Sequence, residues 1–274
     1  MSQKNYFLIV ATLFFIACST IPITNRKSVH LLPNSMMLSM SIASYQDFLS
    51  QNPPLPSSDD RVQEVRKVGN DISQGVIRFL NENEMTDRVN DFTWEFNVIE
   101  DETVNAWCMP GGKIVFYSGI LPVAEGLNGI ATVMGHEIAH AVAQHGNERM
   151  TQQLAIYMGA VTLDYALANE PEKTRDIFFL AYGAGSQLGS LAYSRTHEYE
   201  ADKLGMVFMA MSGYDPAYAI DFWQRMTQIG GGKPPEFLST HPSDENRVKA
   251  LQKFLPEAQK YYKREKKSGG TIRL

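Results

Sequence analysis

Two cysteines in 274 residues, Cys18 and Cys108, leave no material for a disulfide framework. A stapled secreted miniprotein is excluded. A basic excess is missing as well: 25 Lys and Arg stand against 30 Asp and Glu, a net charge of −5. Phosphate-binding proteins normally carry a positive surplus, so no nucleic-acid partner is expected. Nor is there an apolar run long enough to cross a bilayer. The N-terminal run, Tyr6 to Ala17, rises about 18 Å as a helix, against about 30 Å of hydrocarbon core. Repeats and low-complexity stretches are also lacking. What remains has 44% hydrophobic and 20% charged residues, the balance of an ordinary globular chain, long enough for one generous domain or two small ones.

The N-terminus reads as an export signal: Lys4 is followed by the short apolar run and then by Cys18-Ser19. Phe15-Ile16-Ala17-Cys18 resembles a bacterial lipobox, with Phe15 in place of the usual leucine. The expectation is a lipoprotein signal peptide over residues 1–17 and a lipid on Cys18. The chain would then be lipid-anchored on the periplasmic side of the cell envelope, with Ser19 pointing to the outer membrane. Cys108 is expected to be a buried, inert thiol. Residues 19–33 are polar and read as a tether. A helical rhythm from Ser35 to Gln51 ends at Pro53, Pro54 and Pro56, so residues 18–58 form a tether and an N-terminal helical arm.

From Asp59 the pattern changes. Val62, Val65, Val68, Ile72, Val76, Ile77 and Leu80 form one stripe of an amphipathic helix. Trp94 to Ile99 alternates like a half-buried strand. Asn105–Met109 and Lys113–Tyr117 flank Pro110-Gly111-Gly112 and read as a hairpin. After Leu121 every strong pattern is helical, and the basic run Lys260 to Lys267 reads as a solvated helix end. The fold class is therefore α+β, mainly helical, with a small antiparallel sheet, in a domain spanning residues 59–265. Residues 266–274 are a C-terminal tail.

The chemistry lies in Gly135-His136-Glu137-Ile138-Ala139-His140, an H-E-x-x-H sequence inside an apolar helical run. His136 and His140, four residues apart, share a helix face and can bind one metal ion, with Glu137 beside them as a base for an attacking water. Zinc with an open coordination position needs a third protein ligand. The H-x-x-G-x-x-H extension is absent, since Ala143 and Gly146 occupy its Gly and His positions. His145 lies about 140° round the helix from His140 and is read as a helix-end residue. Glu198 and Asp202 are better placed: four apart, they share a face with Ala201 and Gly205, small residues that permit a close approach to the His136 helix. Glu198 is the expected third ligand, and Asp202 is expected to accept from the far nitrogen of a ligand histidine. Glu200 points about 200° away on the helix and is expected to be solvated.

H-E-x-x-H followed by E-x-x-x-D resembles the gluzincins. Asn105-Ala106-Trp107 with Pro110-Gly111-Gly112, Ser194-Arg195, Glu198 to Asp202, and Thr240-His241-Pro242 with Arg247 extend the resemblance to the HtpX-like and CAAX-prenyl-endopeptidase-like zinc peptidases, metallopeptidase family forty-eight. The layout is similar to that of its exported, lipid-anchored members, without a multi-span membrane region or a repeat domain. The resemblance implies a gluzincin domain holding one Zn²⁺ per chain. It also implies that Asn105, Ala106 and Trp107 lie on an edge strand that receives substrate backbone by strand addition. His241 would either donate to the oxyanion or cap the zinc as an inhibitory fourth ligand. Arg247 would assist with the oxyanion or substrate.

The expected function is zinc-dependent endoproteolysis of proteins or peptides, misfolded or membrane-associated, in envelope quality control, with envelope assembly machinery as a candidate partner. Two rivals remain. One is a chaperone-like or assembly-factor binding protein whose zinc site is idle or structural. The other is a non-peptidase zinc hydrolase, which the strand-addition segment disfavours.

Overall fold

A computed structural model of the chain describes residues 18–158, 172, 194–229, 236–241 and 245–267. The expected signal peptide, residues 1–17, and the end of the tail from residue 268 lie outside the described residues. The first described segment corrects the tether reading. Strands β1 (Cys18–Thr20) and β2 (Lys27–Val29) pair antiparallel, Cys18 opposite Val29. Ile21 at the start of their connection is fully buried. A polar stretch is docked here because one apolar side chain and one arginine, Arg26, find partners in the body of the protein.

Helix α1 (Asn34–Gln51) buries Met37, Tyr45 and Phe48 against Trp107 and Tyr117 of the sheet. Phe48 meets the Trp107 ring edge-on, with centroids 5.1 Å apart. Helix α2 (Asp60–Glu82) starts where Asp59 accepts a hydrogen bond from the Arg61 backbone N–H at 2.9 Å, satisfying one of the donors that a helix start leaves orphaned. Val62, Val65, Val68, Ile72, Val76 and Leu80 of its stripe are fully buried.

Three strands form the main sheet: β3 (Glu95–Ile99), β4 (Ala106–Met109) and β5 (Lys113–Tyr117), in the order β3-β5-β4. The β4–β5 hairpin is antiparallel as expected, but β3 runs parallel to β5, so the sheet is mixed rather than antiparallel. The physical reason is burial. Every residue of β5 is buried, which suits a strand paired on both sides, and the chain leaves β3 to lay β4 on the far side of β5. Gly111 and Gly112 take φ of +84° and +77° at the turn, a region that glycine enters without steric cost. A Cβ on Gly112 would also meet the Trp94 ring at 2.7 Å.

The remaining described elements are helical. After the short α3 (Leu121–Ala124) come α4 (Leu127–Val142), α5 (His145–Met158), α6 (Arg195–Met211), α7 (Tyr218–Gln228), α8 (Glu236–Thr240) and α9 (Glu245–Lys267). Helix α4 is buried along residues 129–142, and α6 crosses it at two facing glycines. A Cβ on Gly135 would lie 2.9 Å from the Gly205 carbonyl oxygen, and one on Gly205 would lie 3.0 Å from the His136 nitrogen. That contact brings the two charged faces together. Among the described residues, no helix is long and apolar enough to cross a membrane.

Candidate metal centre

Four side chains from three segments converge at the α4–α6 crossing. His136 and His140 come from α4, Glu198 from the first turn of α6, and His241 from just beyond α8. One ligand atom from each lies within 4.8 Å of all the others, and all four residues are buried. The His136 Nε2 sits 3.1 Å from the His140 Nε2 and 3.2 Å from the His241 Nδ1. Glu198 Oε1 is 3.4 Å from the His140 Nε2 and 3.2 Å from the His241 Nδ1. Three imidazole nitrogens and a carboxylate oxygen turn toward one common point. A cation at their centre would satisfy every lone pair, so the donor set fits a metal ion, and nitrogen and carboxylate ligands suit zinc.

Glu137 lies beside this cluster, nearly fully buried. Its Oε1 has no hydrogen-bond donor, and the His241 Nε2 is 3.4 Å away. Burial pushes its carboxyl up to about 8, with Glu198 adding to the effect against the opposing His136 and Arg247. Glu198 behaves oppositely. Burial disfavours its charge, yet His241, Arg247 and the α4 histidines hold it well below the usual carboxylate range.

The outer support of the cluster is charged and buried. Asp202 Oδ1 lies 3.1 Å from the His136 Nδ1, the nitrogen that faces away from the donor centre. Arg247 donates from Nε and Nη2 to the two Asp202 oxygens, each at 2.8 Å, and its Nη1 is 2.7 Å from Glu198 Oε2. The guanidinium is therefore committed within the site, which corrects the expectation that Arg247 is available to substrate or oxyanion. Its 1% exposure and two carboxylate partners leave it a bracing part.

Glu200 also departs from expectation. Instead of being solvated it is 3% exposed, because the β1–β2 hairpin covers that side of α6: Thr24 donates to its Oε1 at 2.7 Å and Arg26 binds both its oxygens. His145 is the first residue of α5. It stands outside the four-donor cluster, with its Nδ1 3.0 Å from the His140 Nδ1.

Asn105, Ala106 and Trp107 fall at the sheet edge, since β4 has β5 on one side only. Tyr117 N–H donates to the Asn105 carbonyl at 3.1 Å. By antiparallel alternation, Ala106 turns its own backbone groups away from β5, and its N–H is met by the Asn105 side-chain oxygen at 2.9 Å. Just before the strand, the Val104 carbonyl accepts from the N–H of Phe237 in α8 at 3.1 Å, so the segment carrying His241 also touches this edge. Trp223 and Phe237, which sequence reasoning missed, wall the site. Phe237 stacks on the His241 ring with centroids 4.5 Å apart, and Trp223 lies 5.4 Å from His136. Neither carries a local signal, since aromatic residues on helices are ordinary core.

A buried H-E-x-x-H helix crossed by a glutamate-bearing helix, on a mainly helical α+β fold, defines a metallopeptidase of the gluzincin type. The model for peptidase family M48 matches residues 70–255, more than half of the chain, and the chain belongs to that family. It is similar to the mitochondrial metalloendopeptidase OMA1 of Schizosaccharomyces pombe, at 38% identity over 177 residues, 62% of this chain and 49% of the relative. Against the mitochondrial metalloendopeptidase OMA1 of Homo sapiens it is 27% identical over 269 residues, 95% of this chain and 50% of the relative. A bacterial relative is the putative beta-barrel assembly-enhancing protease of Vibrio cholerae, 32% identical over 158 residues, 56% of this chain and 33% of the relative. The chain thus spans about half or less of the length of these relatives.

Proposed function

We propose that this chain is a zinc-dependent endopeptidase acting on protein substrates of the bacterial cell envelope. His136, His140 and Glu198 are the ligands in this reading, Glu137 is the base, and Asp202 and Arg247 brace the ligands. The observation that carries it is the convergence of three donors beside a buried carboxylate with an oxygen left without a donor. Zinc would supply Lewis acidity there, making water nucleophilic near neutral pH and polarising a scissile carbonyl. Glu137 takes the proton from the attacking water and passes it to the departing amine. Asp202 holds His136 by its Nδ1, and substrate backbone pairs along the outer edge of β4.

The bacterial relative, by its name a β-barrel assembly-enhancing protease, supports an envelope role in protein quality control or assembly. The lipobox-like Phe15 to Cys18 supports a lipid on Cys18 and a periplasmic, outer-membrane location. The mitochondrial relatives fit the peptidase chemistry equally well and carry no such implication. A decisive measurement is zinc content and casein cleavage, side by side, for the wild type and Glu137→Gln. The reading requires that the variant keep its zinc and lose cleavage by at least about a hundredfold, the scale of a proton-transfer residue. Retained cleavage removes Glu137 from the role, and a zinc-free wild type removes the metal.

One observation favours a second reading. His241 offers a fourth donor to the cluster, and four protein ligands close a zinc site as structural sites are closed. An idle or structural metal in a binding protein would follow. Wild-type protein with a full complement of zinc and no cleavage of any unfolded substrate is the result that would favour it.

A further inference from the structure

The cluster does not end at the α4 histidines. His140 turns its Nε2 toward the donor centre, so its other nitrogen, Nδ1, carries the proton. That Nδ1 lies 3.0 Å from the His145 Nδ1, which must then accept. His145 in turn keeps its proton on Nε2, which lies 3.2 Å from Glu200 Oε2. Glu200 is gripped from the far side by the N-terminal hairpin. Thr24 donates to Oε1 at 2.7 Å, and Arg26 donates from Nε and Nη2 at 2.9 Å and 2.8 Å. The same guanidinium makes a paired contact with Glu148, both bonds at 2.8 Å. A continuous line of hydrogen bonds thus runs from a metal donor to a segment more than a hundred residues earlier in the chain.

We propose that Arg26 and Thr24 are positioning residues for His140, acting through Glu200 and His145 to fix its tautomer and ring orientation; this rests on the reading of His140 as a metal ligand through Nε2. The direction of each bond follows from one fixed point. A carboxylate can only accept, so it holds the His145 proton on Nε2, and the lone pair left on the His145 Nδ1 can only receive a proton from His140. Without the Thr24 and Arg26 donors, Glu200 would keep only the His145 contact and be free to turn toward solvent. Its grip on His145 would then be lost to water or to a rearranged side chain.

The test uses the full chain with Arg26→Met, Arg26→Lys, Thr24→Val and, as a control in the same hairpin, Lys27→Ala. The Lys27 side chain donates to Thr20 Oγ1 across the strands and lies off the line. Zinc affinity is read by chelator competition, and the His145 tautomer by ¹⁵N NMR of the imidazoles in metal-free protein. Arg26→Met should weaken zinc binding about 10- to 100-fold, as loss of outer support for a ligand does, and should mix the His145 tautomers. Arg26→Lys should recover part of the loss, Thr24→Val should show a smaller shift in the same direction, and Lys27→Ala should match the wild type. If Arg26→Met does not fold, Thr24→Val and Arg26→Lys carry the comparison. Unchanged affinity and tautomer in every folded Arg26 and Thr24 variant overturns the proposal. An equal loss in Lys27→Ala overturns it too, assigning the effect to hairpin docking in general. A wild type that binds no zinc defeats the metal-site reading, whereas a zinc-binding wild type with indifferent variants defeats this proposal alone.

Discussion

The guanidinium of Arg247 lies over the indole of Trp223, 3.3 Å from the ring centroid, and from that seat it spans Asp202 and Glu198. Arg247→Ala should therefore do more than remove a contact. Two buried carboxylates would lose their countercharge, a change that typically costs about 3–5 kcal/mol. Arg247→Lys should recover part of it, because an ammonium restores charge without the planar fork or the stacking. Urea unfolding midpoints of the three proteins check the order.

His241 predicts a gain rather than a loss. It closes the donor cluster from a segment separate from α4 and α6, and its ring is stacked on Phe237. His241→Ala leaves three protein donors and an open position, the arrangement of catalytic zinc. Zinc should be retained with reduced affinity, and casein cleavage should rise several-fold over wild type. Cleavage that falls instead would give His241 a part in the reaction itself.

The α4–α6 crossing has no room for a methyl group. Gly205→Ala places a Cβ 3.0 Å from the His136 backbone nitrogen, a few tenths of an ångström tighter than an ordinary contact. The helices must separate, at the roughly 1–3 kcal/mol that overpacking costs, and Glu198 must retreat from the histidines. Lowered thermal stability together with weaker zinc binding is expected, while Gly213→Ala, where a Cβ meets nothing within 4 Å but φ is positive, should affect stability alone.

The hairpin should loosen in acid. Burial pushes His30 down to about 4, while its ring meets Ser19 and Ser28 through its two nitrogens. An imidazole depressed in the folded state favours folding above the ordinary value of about 6.5. As pH falls from there toward about 4, the undocked state gains the proton first, so docking weakens. Hydrogen exchange across residues 18–29 should accelerate over that window, and His30→Gln should flatten the dependence.

How far the site can be read in advance depends on whether its logic is local. His136, His140, Glu198 and Asp202 obey helical spacing, and Ala201 and Gly205 announce a close crossing, so their arrangement is legible from short stretches. The helical wheel also gives the bearing of Glu200 from Glu198 but not what stands opposite it. Its partner Arg26 lies 174 residues away in a stretch without periodicity, so nothing nearby marks it as docked. The direction of β3 was hidden for a similar reason. Alternation gives a strand its faces, while its neighbour is chosen by the path of the chain around β5.

Because Cys18 is already paired with Val29 in β1, a lipid on that residue would have no leash. Fifteen free residues could extend about 50 Å; with the hairpin folded, that reach falls to almost nothing. If Cys18 does carry a lipid, the body would rest against the bilayer surface, and altitude would come first: segments emerging at the membrane plane would be within range before those loose in the surrounding fluid.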